Sequence, residues 1–206
     1  MNEHDHETRS DDDECDLDLL DLVLFLDRLK EVRRENPIAS ASRRERTAEH
    51  SWHLAVSVYL LRQLAEQEID VEHAVLLAVL HDIPEVFVGD TFVYGDQEES
   101  RRRREDTAMR RFLGAKLAAS HDMYSLWHEY EHGTSTEARF VKAMDVVLPV
   151  ILNHSNPRDS SWLRHNVTVA QVLKRIDEVA PHSRRLAKLA RHVVRLAAEN
   201  GTLAAK

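Results

Sequence analysis

His81 and Asp82 stand side by side at the end of an apolar run, VEHAVLLAVLHD. Asp145 sits alone in a second apolar run, FVKAMDVVLPVIL, and His50 opens a third, AEHSWHLAVSVYLL. Removing a charged side chain from water costs several kcal/mol unless a partner compensates it. Imidazole nitrogens and carboxylate oxygens are donors that borderline and hard divalent ions accept. Three apolar helices that bring His50, His81, Asp82 and Asp145 to one point would therefore build a buried divalent-metal centre. Singly, each residue has an ordinary account: a lone histidine on an apolar face packs in a core, and a lone aspartate pairs with an arginine. Their joint occurrence on three such segments is what points to a cation. In a continuous helix His81 and Asp82 would point about 100° apart, so one ion must sit beside the helix and between them. Four protein ligands on an ion that takes five or six leave positions for water and substrate.

Those side chains need elements to hold them. Residues 1–15 are almost without apolar content and carry a block of acidic charge, which predicts a disordered tail ahead of one domain over residues 16–206. Leucines at helical spacing predict a first helix from Asp16 to near Asn36-Pro37, followed by a loop over 37–46. Thr47 can cap a helix running to about Gln67, and Asp70 one over 71–82. Gly89-Asp90-Thr91 reads as a loop. A charged helix is expected over 96–119, with Glu98/Arg102 and Glu99/Arg103 at i,i+4 spacing and the Arg101–Arg104 run as a solvated face, with a phosphate patch as the alternative. A short helix over 122–132 stops at Gly133. Ser135 or Thr136 caps the helix that carries Asp145, and Pro149 should kink it. A loop over 153–167 precedes two last helices, about 168–180 and 183–199. The whole reads as an all-α bundle of roughly eight helices.

Composition narrows the function classes. The chain has 206 residues, 43% of them hydrophobic, enough for one domain with a substantial core. Its net charge of −8 argues against a nucleic-acid polymer as partner. The single cysteine, Cys15, excludes an internal disulfide and a Cys-rich zinc site, and fits a cytoplasmic location. No apolar run reaches the length of a membrane span, and the acidic N-terminus is unlike a secretory signal. Glu49 precedes both histidines of EHSWH, so the zinc-protease pattern fails. There is no nucleophile elbow and no phosphate-binding glycine loop.

The order His50 … His81-Asp82 … Asp145 resembles the HD-domain superfamily of metal-dependent phosphohydrolases. SRRERTAEHSWH, LHDIPEVFVGDT, LWHEYE and TSTEARFVKAMD are similar to segments of its branch of bacterial 5'-deoxynucleotidases and related small HD hydrolases. The resemblance covers roughly residues 17–195. It implies an HD-type helical bundle with one divalent ion, Mn, Co or Mg first and Zn, Fe or Ni as alternatives, held by the four residues above. It implies hydrolysis of a nucleoside 5'-monophosphate through a metal-activated water, with a small-molecule nucleotide as partner and a homodimer as assembly. Glu85 is similar to the family's catalytic glutamate, which orients that water or moves its proton. Asp90 matches an aspartate lining the substrate pocket. Arg34 and Arg43 are similar to basic positions that would meet the phosphate. Lys142, one turn before Asp145, could also meet it or lie on the surface. The branch places an Arg-Trp pair where this chain has Arg33-Arg34-Glu35, so selectivity for a deoxy sugar does not follow. Three other readings remain open. One is a nucleoside di- or triphosphate hydrolase acting on an unusual nucleotide. Another is a di-iron HD oxygenase using His121, His128 or His132. The third is a nucleotide-binding module without catalysis.

Overall fold

The computed structural model describes residues 20–40, 43–94, 98–113 and 118–204. The expected acidic tail and Cys15 lie outside the described residues. Helix α1 spans residues 20–27 and passes into a 3-10 turn, Arg28–Lys30. The expected first helix stops there. Residues Arg33–Pro37 form strand β1, paired antiparallel with β2, Arg44–Arg46. Two causes override the helical pattern. Pro37 disfavours helix in the residue before it, and an extended β1 carries Arg34 inward to 7% exposure. The hairpin is the one departure from an all-helical bundle among the described residues.

Helix α2, Thr47–Leu61, packs against α3, Val71–Leu80. Asp70 caps α3 as expected, its carboxylate accepting from the His73 N–H at 3.1 Å. Thr47 does not cap α2. It is already helical and its hydroxyl turns to Glu85, leaving Arg46 at the cap position. The chain leaves α3 at His81, makes a tight turn over 81–84, and starts the single-turn helix α4, Glu85–Val88. Gly89 ends α4 with φ of +72°, a left-handed conformation that glycine adopts without steric cost. Helices α5, Glu98–Leu113, and α6, Ala118–His132, follow, and α6 ends at Gly133.

Helix α7, Thr136–Ser155, is capped by Ser135 and runs unbroken past Pro149. It extends into the expected loop, which also contains the short helix α8, Ser161–Arg164. Helices α9, Val169–Val179, and α10, Arg184–Glu199, close the bundle, capped by Thr168 and Ser183. The main core gathers Leu54, Val58, Leu77, Phe140, Met144, Val147, Ile176 and Leu186 around α7. A smaller cluster of Leu29, Ile83, Val86, Met109 and Trp127 fixes the turn after α3 against α6. No helix among the described residues is long and apolar enough to cross a membrane.

Candidate metal centre

Helices α2, α3 and α7 each bring part of one polar cluster into the apolar interior. His50 lies in the first turn of α2 and is fully buried. Its Nε2 is 2.8 Å from Asp145 Oδ1 and 3.9 Å from Asp82 Oδ2. His81 Nε2 is 2.9 Å from Asp82 Oδ2 and 3.8 Å from Asp145 Oδ1. The ligand atoms of His50, His81 and Asp82 all lie within 4.8 Å of one another. The end of α3 and the turn after it solve the problem of neighbouring residues pointing apart. His81 still takes the last helical bond, its N–H donating to Leu77 O, while Asp82 is already in the turn.

The tautomer of His81 is fixed from behind. Its Nδ1 lies 2.9 Å from the Ala78 carbonyl, to which only an N–H can be donated, so the lone pair falls on Nε2. That Nε2 is buried and has no hydrogen-bond partner, despite lying close to Asp82. A buried acceptor of this kind, beside two carboxylates and a second imidazole, is the donor set a divalent ion takes. The C-terminal end of α3 adds the negative pole of its dipole. The chemistry of the residues therefore fits a metal ion held by His50, His81, Asp82 and Asp145. The imidazoles are sealed inside, whereas the Asp82 and Asp145 side chains remain 16% and 23% exposed, so the cluster opens on its carboxylate side.

A second layer holds these groups in place. Tyr130 of α6 donates its hydroxyl to Asp145 Oδ2 at 2.9 Å and sets its ring against His81 at 4.9 Å. Glu45 of β2 lies 3.4 Å from His50 Nδ1. Neither residue stands out in the sequence, although Tyr130 falls inside LWHEYE. Spacing along the chain gives no sign that a tyrosine 15 residues before Asp145 will bond to it.

Glu85 and Asp90 border the same cluster. Glu85 is buried, accepts from the Thr47 hydroxyl at 2.7 Å and lies 3.4 Å from Arg34 Nη1. Asp90 accepts from the Glu35 N–H at 3.0 Å. Arg34 projects from β1 to put Nη1 2.6 Å from Asp82 Oδ2 and 3.9 Å from Asp90 Oδ1. The structure brings Arg34 to the centre but not Arg43. Arg43 forms an exposed two-pronged pair with Glu49 at 2.8 Å and lines a different cavity. It sits at the loop end of the hairpin, beside the Pro37–Arg44 pair, whereas Arg34 lies nearer the other end. Lys142 is not a surface residue. Its Nζ lies 4.4 Å from the centre of the Tyr130 ring, and it lines the cleft beside Asp145.

The electrostatics separate the carboxylates into two kinds. Burial pushes Asp82 up, but His81 and Arg34 outweigh it and hold it at about 2. Burial likewise opposes ionisation of Asp145, and the His50 hydrogen bond with the positive charge around the cluster, Arg34 included, brings it well below its ordinary range. Glu85 goes the other way. Burial raises it first and the neighbouring Asp82 charge second, and Arg34 and Thr47 only partly compensate. Asp90 is also raised, by burial and the Asp82 charge, against Arg34 and the Glu35 N–H. Two carboxylates are thus kept anionic, as ligands must be, and two are poised to carry protons.

A cleft of about 530 Å³ opens from the carboxylate side, within the size range of small-molecule sites. Asp82, Glu85, Asp90 and Asp145 form its floor, and Arg34, Lys142, Arg139 and Arg175 are among its cations. A narrower recess beside it is lined by Phe92, Val93, Tyr94 and Pro149. Another cavity, about 610 Å³, lies elsewhere, at the arginines of the hairpin. His128 and His132 stack on each other at 3.9 Å and do not join the His50–His81–Asp82 cluster, and the side chain of His121 lies outside the described residues.

Comparison with known proteins follows the same lines. A family model described as HD domain matches residues 26–187. The human (Homo sapiens) 5'-deoxynucleotidase HDDC2 is 31% identical over 132 residues, covering 62% of each chain. The chain thus spans less than two thirds of the length of that curated relative. A predicted metal-dependent phosphohydrolase from Magnetospirillum magnetotacticum superposes with a TM-score of 0.86 at 32% identity, covering 95% of this chain and 98% of that one. The PH0347 protein of Pyrococcus horikoshii, at 24% identity and a TM-score of 0.60, shares the fold.

Proposed function

The chain belongs to the HD domain family, and from that premise we propose that it is a metal-dependent phosphohydrolase acting on nucleoside 5'-monophosphates. The observation that carries this reading is the convergence of His50, His81, Asp82 and Asp145, whose two carboxylates line the floor of a cleft of about 530 Å³ with the imidazoles buried behind them. His50, His81, Asp82 and Asp145 would hold a divalent ion, which would supply an acidified water near neutral pH and offset charge on a phosphoryl oxygen. Mn, Co and Mg head the candidates because two carboxylates and an open side suit harder ions, with Zn, Fe and Ni as alternatives.

The chain's own residues do the rest. Glu85, whose proton affinity burial raises, accepts the proton of the attacking water through its carboxylate form, and Thr47 and Arg34 fix the orientation of that carboxylate. Asp90, held by the Glu35 N–H, stands where a sugar hydroxyl or the leaving oxygen would lie and can return a proton to it. Arg34 and Lys142 supply fixed positive charge for the phosphoryl oxygens, which costs no reorganisation as charge builds up. Arg139 and Arg175 give the cleft more cations than a monophosphate needs, and this favours a di- or triphosphate as the second reading.

The test is phosphate release from ribo- and deoxynucleoside 5'-monophosphates with Mn, Co or Mg. Phosphate from monophosphates supports the proposal. Pyrophosphate or tripolyphosphate from triphosphates moves it to the second reading. Glu85→Gln should lower kcat by about 10²–10⁴-fold with bound metal retained, whereas His81→Ala should lose both metal and turnover. Turnover by His81→Ala at the wild-type rate would sink the assignment.

The homodimer is part of the same proposal. Trp52, Val56, Tyr59 and Leu60 form an exposed apolar stripe on α2, continued by Leu76 and Val79 of α3. Such a face suits a second copy of the chain. A cytoplasmic location agrees with the single cysteine and a nucleotide substrate.

A further inference from the structure

The cavity of about 610 Å³ is lined by Arg33, Arg43, Arg44, Arg46 and Arg164, with Pro37 and Asp159. It is built on the hairpin, and its lining shares no residue with the cleft over the metal cluster. Five guanidinium groups around one hollow are unusual in a chain of net charge −8. Their pairing is incomplete. Arg44 reaches Glu35 at 2.7 Å and Arg43 reaches Glu49 at 2.8 Å, while Arg46 donates to the backbone carbonyl of Glu31. Arg164 bonds to the backbone carbonyls of Asp159 and Glu35 and lies 3.6 Å from the Glu35 carboxylate, which Arg44 and His165 already use. Arg33 is exposed and has no ion pair or hydrogen bond among the described residues.

The strand register adds an independent observation. Arg33 lies directly opposite Arg46 across the β1–β2 ladder. Like charges in that position destabilise a hairpin, and an anion between them would turn the repulsion into attraction. Guanidinium forks match the paired oxygens of phosphate groups. The lining carries no aromatic ring on which a base could stack. We propose that this cavity is a second binding site, specific for the polyphosphate moiety of a ligand and separate from the catalytic cleft. Its occupant also has a route to the cleft. An anion on Arg44 and Arg164 competes with Glu35, and Glu35 is flanked by Arg34 and holds Asp90 through its N–H.

Calorimetric titration of the full chain with tripolyphosphate tests the site. One equivalent should bind at the hairpin, in addition to any taken up by the cleft, and more weakly as salt rises. Arg33→Ser/Arg44→Ser should weaken binding by roughly tenfold or more, while His81→Ala, with its metal centre broken, should bind as the wild type does. Arg33→Ser alone, at an exposed side chain that holds nothing in the fold, gives the same reading should the double variant unfold. Three results would overturn the proposal. The first is no binding, and the second is binding lost in His81→Ala but kept in Arg33→Ser/Arg44→Ser. The third is binding that appears only after Asp11, Asp12, Asp13 and Glu14 are neutralised, which would make the chain's own acidic segment the occupant.

Discussion

At the scale of single residues, the cluster is set by what each side chain touches behind the metal ligands. Asp145 alone could rotate; the Tyr130 hydroxyl at 2.9 Å and His50 at 2.8 Å hold one oxygen each. Groups in this supporting position typically change metal affinity by about 10–100-fold when removed. Tyr130→Phe should therefore bind Mn at least tenfold more weakly, with its fold intact by circular dichroism. Unchanged affinity would show that Asp145 needs no help. His50 titrates in a way that couples metal and stability. Burial and Arg34 lower its pKa, but its bond to Asp145 and the Glu45 carboxylate 3.4 Å from Nδ1 outweigh them and raise it to about 9. In metal-free protein the protonated imidazole is thus favoured by folding. That stabilisation is complete below the ordinary value of 6.5 and is lost as pH rises through about 9. Metal must displace the same proton, so metal affinity should rise steadily over this interval. Affinity independent of pH between 6.5 and 9 would rule out a charged His50 in the metal-free state.

At the scale of elements, the turn after α3 is the critical piece. It lets adjacent residues serve one ion and then starts α4, which presents Glu85, before Gly89 reverses the chain to bring Asp90 back. A side chain at Gly89 would meet no atom within 4 Å, so its constraint is the backbone angle and not space. Gly89→Ala should cost about 1 kcal/mol of stability and lower kcat as Asp90 moves. Asp70→Ala, which removes the α3 cap, should cost about the same in stability with kcat unchanged. Equal kcat losses in the two proteins would mean that both act through stability alone. The turn was half legible in the sequence: Pro84 and Gly89 punctuate it, but the predicted single helix over 71–82 hid the change of direction at Asp82. The β hairpin was not legible at all. The leucine periodicity of α1 runs on into Leu29, and Pro37 marks only where a helix must end; the pull of Asp82 and Glu85 on Arg34 comes from distant segments.

At the scale of the whole molecule, the bundle converts sequence distance into proximity. His50 and Asp145 are 95 residues apart and meet because α2 and α7 share one core. Metal should therefore tie separate helices together and stabilise the entire domain. Saturation at 100 times Kd adds about 2.7 kcal/mol, which for a domain of this size raises Tm by about 5–10 °C. Chelator should reverse the gain, and a Tm indifferent to both would argue against a shared ion. The exposed stripe of α2 belongs to the same scale. Trp52→Glu should shift the chain toward monomer in sedimentation velocity, whereas a wild-type chain that is monomeric at every concentration would remove the dimer.

The amino-acid sequence alone determined the helical class and the four ligand candidates. Each candidate is a chemically costly side chain in an apolar run where only a partner makes it tolerable, and that cost is visible without coordinates. Glu85 and Asp90 carry no such mark and were picked out only by the resemblance to the HD family. Tertiary structure alone decided which cations face the cluster. Arg34 and Arg43 look equivalent along the chain, and Lys142 looks like a surface residue. Where each charge ends up depends on strand pairing and helix packing between distant segments, which local pattern does not encode.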